Sequence, residues 1–218
     1  PDTVHNVGCP RLDLVADVLN NLGSVDLSML SKEGVGSSID LEQSFVLLSQ
    51  HPVTTEYGEG EAQINASLEA IKELGLSAIV LWPNSDAGSE DVSRGIRKFR
   101  ELDEVENFHY FKNLPTDIYI VLMHKTVCLV GNSSSAIREG ALIGTPAVNI
   151  GTRQNMRQRG ANVINVGHSK KEILNGIEQQ LAHGGYGSEP IYGDGKAGER
   201  IASVLAAAQP VLQKTIAY

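Results

Sequence analysis

Residues 126–153, TVCLVGNSSSAIREGALIGTPAVNIGTR, decide the fold. Thr126 to Val130 is an apolar, β-rich run that reads as a buried strand. Gly131-Asn132-Ser133-Ser134-Ser135 is a tight turn of small residues, and Ala136 to Ile143 reads as a helix. A second strand, Ala147 to Ile150, ends in Gly151-Thr152-Arg153. A strand, a small-residue turn and a helix in this order let backbone N–H groups and hydroxyls converge on an anion, with the helix dipole adding to the attraction. Ser and Asn are also the ordinary residues of turns and N-caps, so the turn alone does not decide the chemistry. Glu139 adds to it. It lies four residues after Ser135, one helical turn further in and off the spacing of a capping box. A carboxylate so close to a phosphate repels it, but two ribose hydroxyls can donate to one carboxylate. The stretch therefore points to a phosphate site whose owner is a nucleotide.

Outward from this stretch, short β-rich runs alternate with helical ones. Strands are expected at Ser44 to Ser49, Ser77 to Trp82, Phe108 to Phe111 and Asn162 to Val166. Helices are expected at Arg11 to Leu22, Glu61 to Leu74, Ala87 to Phe99, Thr116 to His124, Ser169 to Leu181 (with Ser169 as N-cap) and Gly198 to Ala208. The last is broken at Pro210. Residues 24–40 read as a polar, Gly/Ser-rich connection. The alternation implies an α/β fold, a Rossmann-like, mostly parallel sheet with helices on both faces. There is no internal repeat.

Composition narrows the class. The chain of 218 residues carries 41% apolar and 20% charged residues, ordinary for a globular protein with a real core. A formal net charge of −8 argues against a nucleic-acid groove while leaving room for one local anion pocket. Cys9 and Cys128 read as unpaired, which favours the cytoplasm. The His and Cys residues do not fall at metal-ligand spacings, so no metal and no cofactor are expected. No apolar run reaches membrane-span length and no signal peptide opens the chain. The chain begins at Pro1, not Met, which suggests a fragment or a processed chain.

In an open parallel sheet, ligands bind beyond the carboxyl ends of the strands. His51, Asn84, Ser133, Ser134 and Arg153 all fall just after expected strands. His51 can donate to a phosphate when protonated, and a neighbouring anion favours that form. Arg153 can hold phosphate or ribose, or pair with Glu139. The main-chain groups of Leu114, ahead of Pro115, can read the edge of a base.

At this point the residues resemble a family. GCPRLD (8–13), SQHPVTTE (49–56), LWPNSDAGSED (81–91), FKNLP (111–115), GNSSSAIREGALIGTPAVNIGTRQ (131–154), GANVINV (160–166) and IYGDGKAGERI (191–201) are similar, in order, to the C-terminal half of the hydrolysing UDP-N-acetylglucosamine 2-epimerases. The resemblance implies the second Rossmann-like domain of a GT-B fold, one domain over 1–218. The first helix and its linker would lie at 1–23, and final helices at 198–218 would pack on an absent first domain. It implies that Ser133 and Ser134 hold the diphosphate, Glu139 the ribose and Leu114 the uracil. Asn84 and Arg153 would line the site, with His51 beside the leaving phosphate. The implied reaction converts UDP-N-acetylglucosamine and water to N-acetylmannosamine and UDP, as in sialic-acid biosynthesis. The acid/base carboxylates would lie in the absent domain, so the chain alone would bind UDP without turnover. The parent enzyme would be a homo-oligomer. Arg94 and Arg97 resemble a pair that binds CMP-sialic acid in the bifunctional animal enzyme. Three readings compete: a glycosyltransferase donor domain, a non-catalytic nucleotide-binding module, and an epimerase for another nucleotide or amino sugar.

Overall fold

A computed structural model describes residues 4–102 and 106–209. The expected break at Pro210 lies outside the described residues. Seven strands form one sheet: β1 (Val35–Gly36), β2 (Phe45–Ser49), β3 (Ser77–Leu81), β4 (Phe108–Phe111), β5 (Cys128–Gly131), β6 (Ala147–Ile150) and β7 (Val163–Val166), in the spatial order β1-β4-β3-β2-β5-β6-β7. All neighbours are parallel except β1, which runs antiparallel to β4. The six parallel strands therefore follow the doubly wound Rossmann order, whose direction reverses between β2 and β5.

Among the described residues there are seven α-helices: α1 (Arg11–Asn20), α2 (Gly60–Glu73), α3 (Ser89–Arg100), α4 (Thr116–Lys125), α5 (Glu139–Ile143), α6 (Lys170–His183) and α7 (Ala197–Ala207). Strand β2 shows why they need both faces of the sheet. Val46 and Leu48 join Ile64, Leu68 and Ile71 of α2 and Ile96 of α3 on one side. Phe45 and Leu47 join Ile118, Leu122 and Met123 of α4 on the other. All five residues of β2 are buried, so its alternating side chains fill two cores at once. Leu12, Val15 and Val18 of α1 pack on Ile120 and Val121 at the back of α4. Asp13 then caps α7, accepting from Ala197 N–H at 2.9 Å and Gly198 N–H at 2.6 Å.

Two local expectations are corrected. Residues 24–40 are more than a polar connection. Val25, Leu27, Met29, Leu30 and Ile39 pack on the α4-side core, and β1 lies within this segment. Val25, Leu27 and Met29 alternate as in a strand, but Ser28–Ser31 winds into a 3-10 turn, so the period here does not name the element. The helix expected from Ala136 is divided. A single 3-10 turn, Ser134–Ala136, precedes a five-residue α5. Ala136 and Ile137 donate three residues back, to Ser133 O at 3.3 Å and Ser134 O at 3.2 Å, which winds the first turn tightly. So short a helix has little macrodipole, and the dipole leaves the argument for anion binding. The expected N-cap at Ser169 is present, its hydroxyl accepting from Glu172 N–H.

Candidate nucleotide site at the switch point

The carboxyl ends of β2 and β5 lie side by side, with Ser49 paired to Gly131. Beyond them the chains diverge, and Asn132 bridges the gap. Its fully buried side chain accepts from His51 N–H and donates to His51 C=O, both at 2.8 Å. Both polar groups of the His51 backbone are thereby satisfied in the interior. His51 is fixed in place by a residue 81 positions away.

The His51 ring is held from both sides. Asn84 N–H donates to Nδ1 at 3.1 Å. A backbone N–H can only donate, so Nδ1 is unprotonated and the ring proton sits on Nε2, 3.5 Å from Ser49 Oγ. Burial, and secondarily the Arg153 guanidinium, depress the His51 pKa to about 4, with Asp86 opposing. The ring is therefore neutral at pH 7, which corrects the expectation of a positive His51. What it offers an anion is the Nε2–H of a neutral imidazole.

This has a measurable consequence. Between pH 6.5 and 4 the unfolded chain protonates His51 and the folded one does not, so stability falls as pH drops through that window. Going from pH 7 to pH 5 should cost about 2 kcal/mol through this residue. Urea unfolding of the wild type and of His51→Gln at both pH values measures it. The variant should lose this part of the pH dependence, and an unchanged slope would place the ring in contact with water.

Arg153 does not line the groove described below. It pairs with Asp86 at 3.1 Å and donates to Asn132 C=O at 3.3 Å. Its expected alternative partner, Glu139, is engaged elsewhere. Arg94 and Arg97 sit in surface ion pairs, Arg94 with Asp91 at 3.0 Å and Arg97 with Glu90 at 3.9 Å.

On the other side of the switch point, three hydroxyls cluster. Ser133 Oγ and Ser135 Oγ are 2.8 Å apart, and Tyr119 of α4 reaches Ser135 Oγ at 2.7 Å. Glu139 follows at the start of α5. The residue is buried, 3% exposed, yet it carries a carboxyl group. Oε1 receives Arg11 Nε at 3.3 Å and an Arg138 guanidinium N–H at 3.4 Å. Oε2 is buried and has no hydrogen-bond partner within the described protein. A buried carboxylate oxygen is rarely left so, because each missing bond costs on the order of 1–3 kcal/mol.

These groups face one open groove of about 1410 Å3. It brings together His51, Asn84, Leu114, Ser133, Ser134 and Glu139, six of the seven residues expected from sequence. Leu114 puts its side chain into the α4-side core, and among the described residues its N–H and C=O make no hydrogen bond. Sequence reading missed Arg11, Tyr119 and Arg138, which line the same groove. Arg11 is 128 positions from Glu139, and no local signal connects them. Tyr119 reads as one more core residue of an apolar helix.

Among the described residues there is no cluster of three or more His, Cys, Asp or Glu able to hold a metal ion. No described helix is long and apolar enough to cross a membrane. Cys9 and Cys128 are both free thiols, and burial pushes Cys128 up to about 12.

Comparison with known proteins gives the family. The sequence profile described as UDP-N-acetylglucosamine 2-epimerase matches residues 1–206. A UDP-N-acetylglucosamine 2-epimerase of Neisseria meningitidis is 29% identical over 206 residues, covering 93% of this chain and 51% of that protein. A UDP-N,N'-diacetylbacillosamine 2-epimerase (hydrolyzing) of Legionella pneumophila is 30% identical over 204 residues, covering 94% and 52%. The crystal structure of the UDP-GlcNAc 2-epimerase from Neisseria meningitidis bound to UDP-GlcNAc superposes with a TM-score of 0.73 at 19% identity, over 95% of this chain and 56% of that one. The chain spans about half the length of the curated relatives it matches. With the doubly wound sheet and the matched length, the chain belongs to the UDP-N-acetylglucosamine 2-epimerase family.

Proposed function

We propose that the chain is the UDP-binding half of a hydrolysing UDP-N-acetylglucosamine 2-epimerase. The observation that carries this reading is the buried, unpartnered Oε2 of Glu139, a residue that lines the same groove as Ser133 and Ser134. In this reading the ribose hydroxyls donate to Oε2, Ser133 and Ser134 donate to the diphosphate, and the free main-chain groups of Leu114 meet the uracil edge. Arg153 acts from behind, holding Asn132 and adding positive potential near His51.

The reaction breaks the C1–O bond of the sugar, and its electron pair goes to the departing diphosphate as a proton leaves C2. Water then adds at C1, and a proton returns to C2 on the opposite face. Charge grows on the leaving phosphate, where the hydroxyls and the His51 Nε2–H are fixed donors. The C2 proton needs acid/base groups that this half does not supply, so the chain alone binds UDP without turnover. In the whole protein, the final helices from residue 198 onward pack against the first domain.

The test is a pair of ligands. Replacing Ser133 and Ser134 by Ala should weaken UDP by ~10-fold or more, the scale of one or two hydrogen bonds to a charged group, and leave uridine within a factor of about two. Calorimetric titration measures both. Equal losses would take the serines off the phosphate. A specific observation keeps the sugar open: the Legionella relative is named for a diacetamido sugar. Turnover assays of the whole protein on both UDP-sugars separate the two.

A further inference from the structure

We propose that Tyr119 is a positioning residue for phosphate: its phenol orients Ser135, Ser135 orients Ser133, and the Ser133 hydroxyl proton is thereby turned into the groove. The proposal deepens the diphosphate reading above and rests on it.

The contacts are Tyr119 to Ser135 at 2.7 Å and Ser135 to Ser133 at 2.8 Å. Geometry alone leaves the donor of each pair open, but chemistry orders them. A phenol is far more acidic than an alcohol, and its oxygen lone pair is delocalised into the ring. Of the two hydroxyls in the first pair, the phenol is the better donor and the poorer acceptor, so Tyr119 donates. Ser135 has one proton, and its other hydroxyl neighbour is Ser133, so it donates there. Ser133 Oγ also accepts from Ser135 N–H at 3.4 Å. Both acceptor sites of Ser133 are then occupied from behind. Its own proton can then turn outward to a phosphate oxygen, a charged and stronger acceptor than the phenol oxygen that Ser133 also faces. The opposite order would turn Ser133 lone pairs toward the anion and repel it. Each bond in such a chain polarises the next, which strengthens the last donor.

Two further facts support a phenol at this place. Burial, with Glu139 as a neighbouring negative charge, raises the Tyr119 pKa, so the proton stays on at neutral pH. Ser49 and Ser133 also face the phenol oxygen. The Tyr119 ring packs against the α4-side core, a task that a Phe ring would perform equally. The hydroxyl is what packing does not require.

The experiment is a double-mutant cycle on the chain, titrated with UDP and with uridine. Tyr119→Phe should weaken UDP by about 3- to 10-fold, the scale of one neutral hydrogen bond, and leave uridine unchanged. Ser135→Ala should give the same pattern. In a Ser133→Ala background, Tyr119→Phe should cost nothing more, because its effect is transmitted through Ser133. An undiminished loss in that background would mean that Tyr119 meets the ligand itself, and would overturn the proposal. So would equal losses of UDP and uridine, or no loss of UDP. A wild-type chain that binds neither ligand would instead bring down the nucleotide reading, and this proposal with it.

Discussion

Gly131→Ala should destabilise the fold by about 3 kcal/mol or more, measured by urea unfolding. Gly131 ends β5 at φ +128°, a region that an L side chain avoids. A Cβ added there would collide with the Ser49 carbonyl oxygen, and would lie 2.6 Å from the carbonyl carbon and 3.1 Å from Gln50 N. These are backbone atoms of the central strand, so no flexible side chain can move aside. Backbone strain accounts for about 1–3 kcal/mol, and separating β2 from β5 adds the rest. The same displacement would pull Asn132 away from His51, so affinity for UDP should fall together with stability. A variant as stable as the wild type would mean that the two strand ends are further apart than described here.

Glu139→Ala should weaken uridine binding by ~2–3 kcal/mol, the scale of hydrogen bonds to a charged group, or about 30- to 150-fold. UDP should lose less than uridine. Removing the carboxylate also removes a negative charge near the diphosphate and frees Arg11 and Arg138. The carboxylate is already paired with Arg11 and Arg138, so its net repulsion of the diphosphate is small and offsets only part of the UDP loss. This ordering is the reverse of that expected for the serine variants, which should spare uridine. The two sets of variants therefore assign the ends of the groove independently. A Glu139→Ala chain that keeps its uridine affinity would show that Oε2 serves no ribose.

Much of the fold is legible in the sequence because burial on both faces leaves a simple mark. SFVLLS, SAIVLW and TVCLV are short apolar runs bounded by turn residues, and each belongs to a central parallel strand. The helices between them carry their own period. β1 is different. It has two residues, sits among Gly and Ser, and is pinned by pairing with Tyr110 and His109 of β4, which no local pattern encodes. The divided α5 is hidden for another reason: Ser133 to Ser135 suit a cap, a turn or a first helical turn equally well, and only the bonding of Ala136 and Ile137 decides.

The groove was legible wherever its residues follow a strand, since the sheet delivers every strand end to one edge. That rule finds His51, Asn84, Ser133 and Ser134. It also selects Arg153, which sits at the right edge but faces Asp86. The rule fails for residues delivered by helices. Arg11 arrives from α1 and Tyr119 from α4, through packing between segments far apart in the chain. The charge of His51 is likewise not legible in the sequence, because its burial and its bond from Asn84 are tertiary facts.

The most direct measurement is a crystal structure of the chain with UDP. The ribose hydroxyls should lie at ~2.6–3.0 Å from Glu139 Oε2, with diphosphate oxygens at similar distances from Ser133 and Ser134. UDP bound away from the junction of β2 and β5, or seated there with Glu139 touching only its two arginines, would contradict the account.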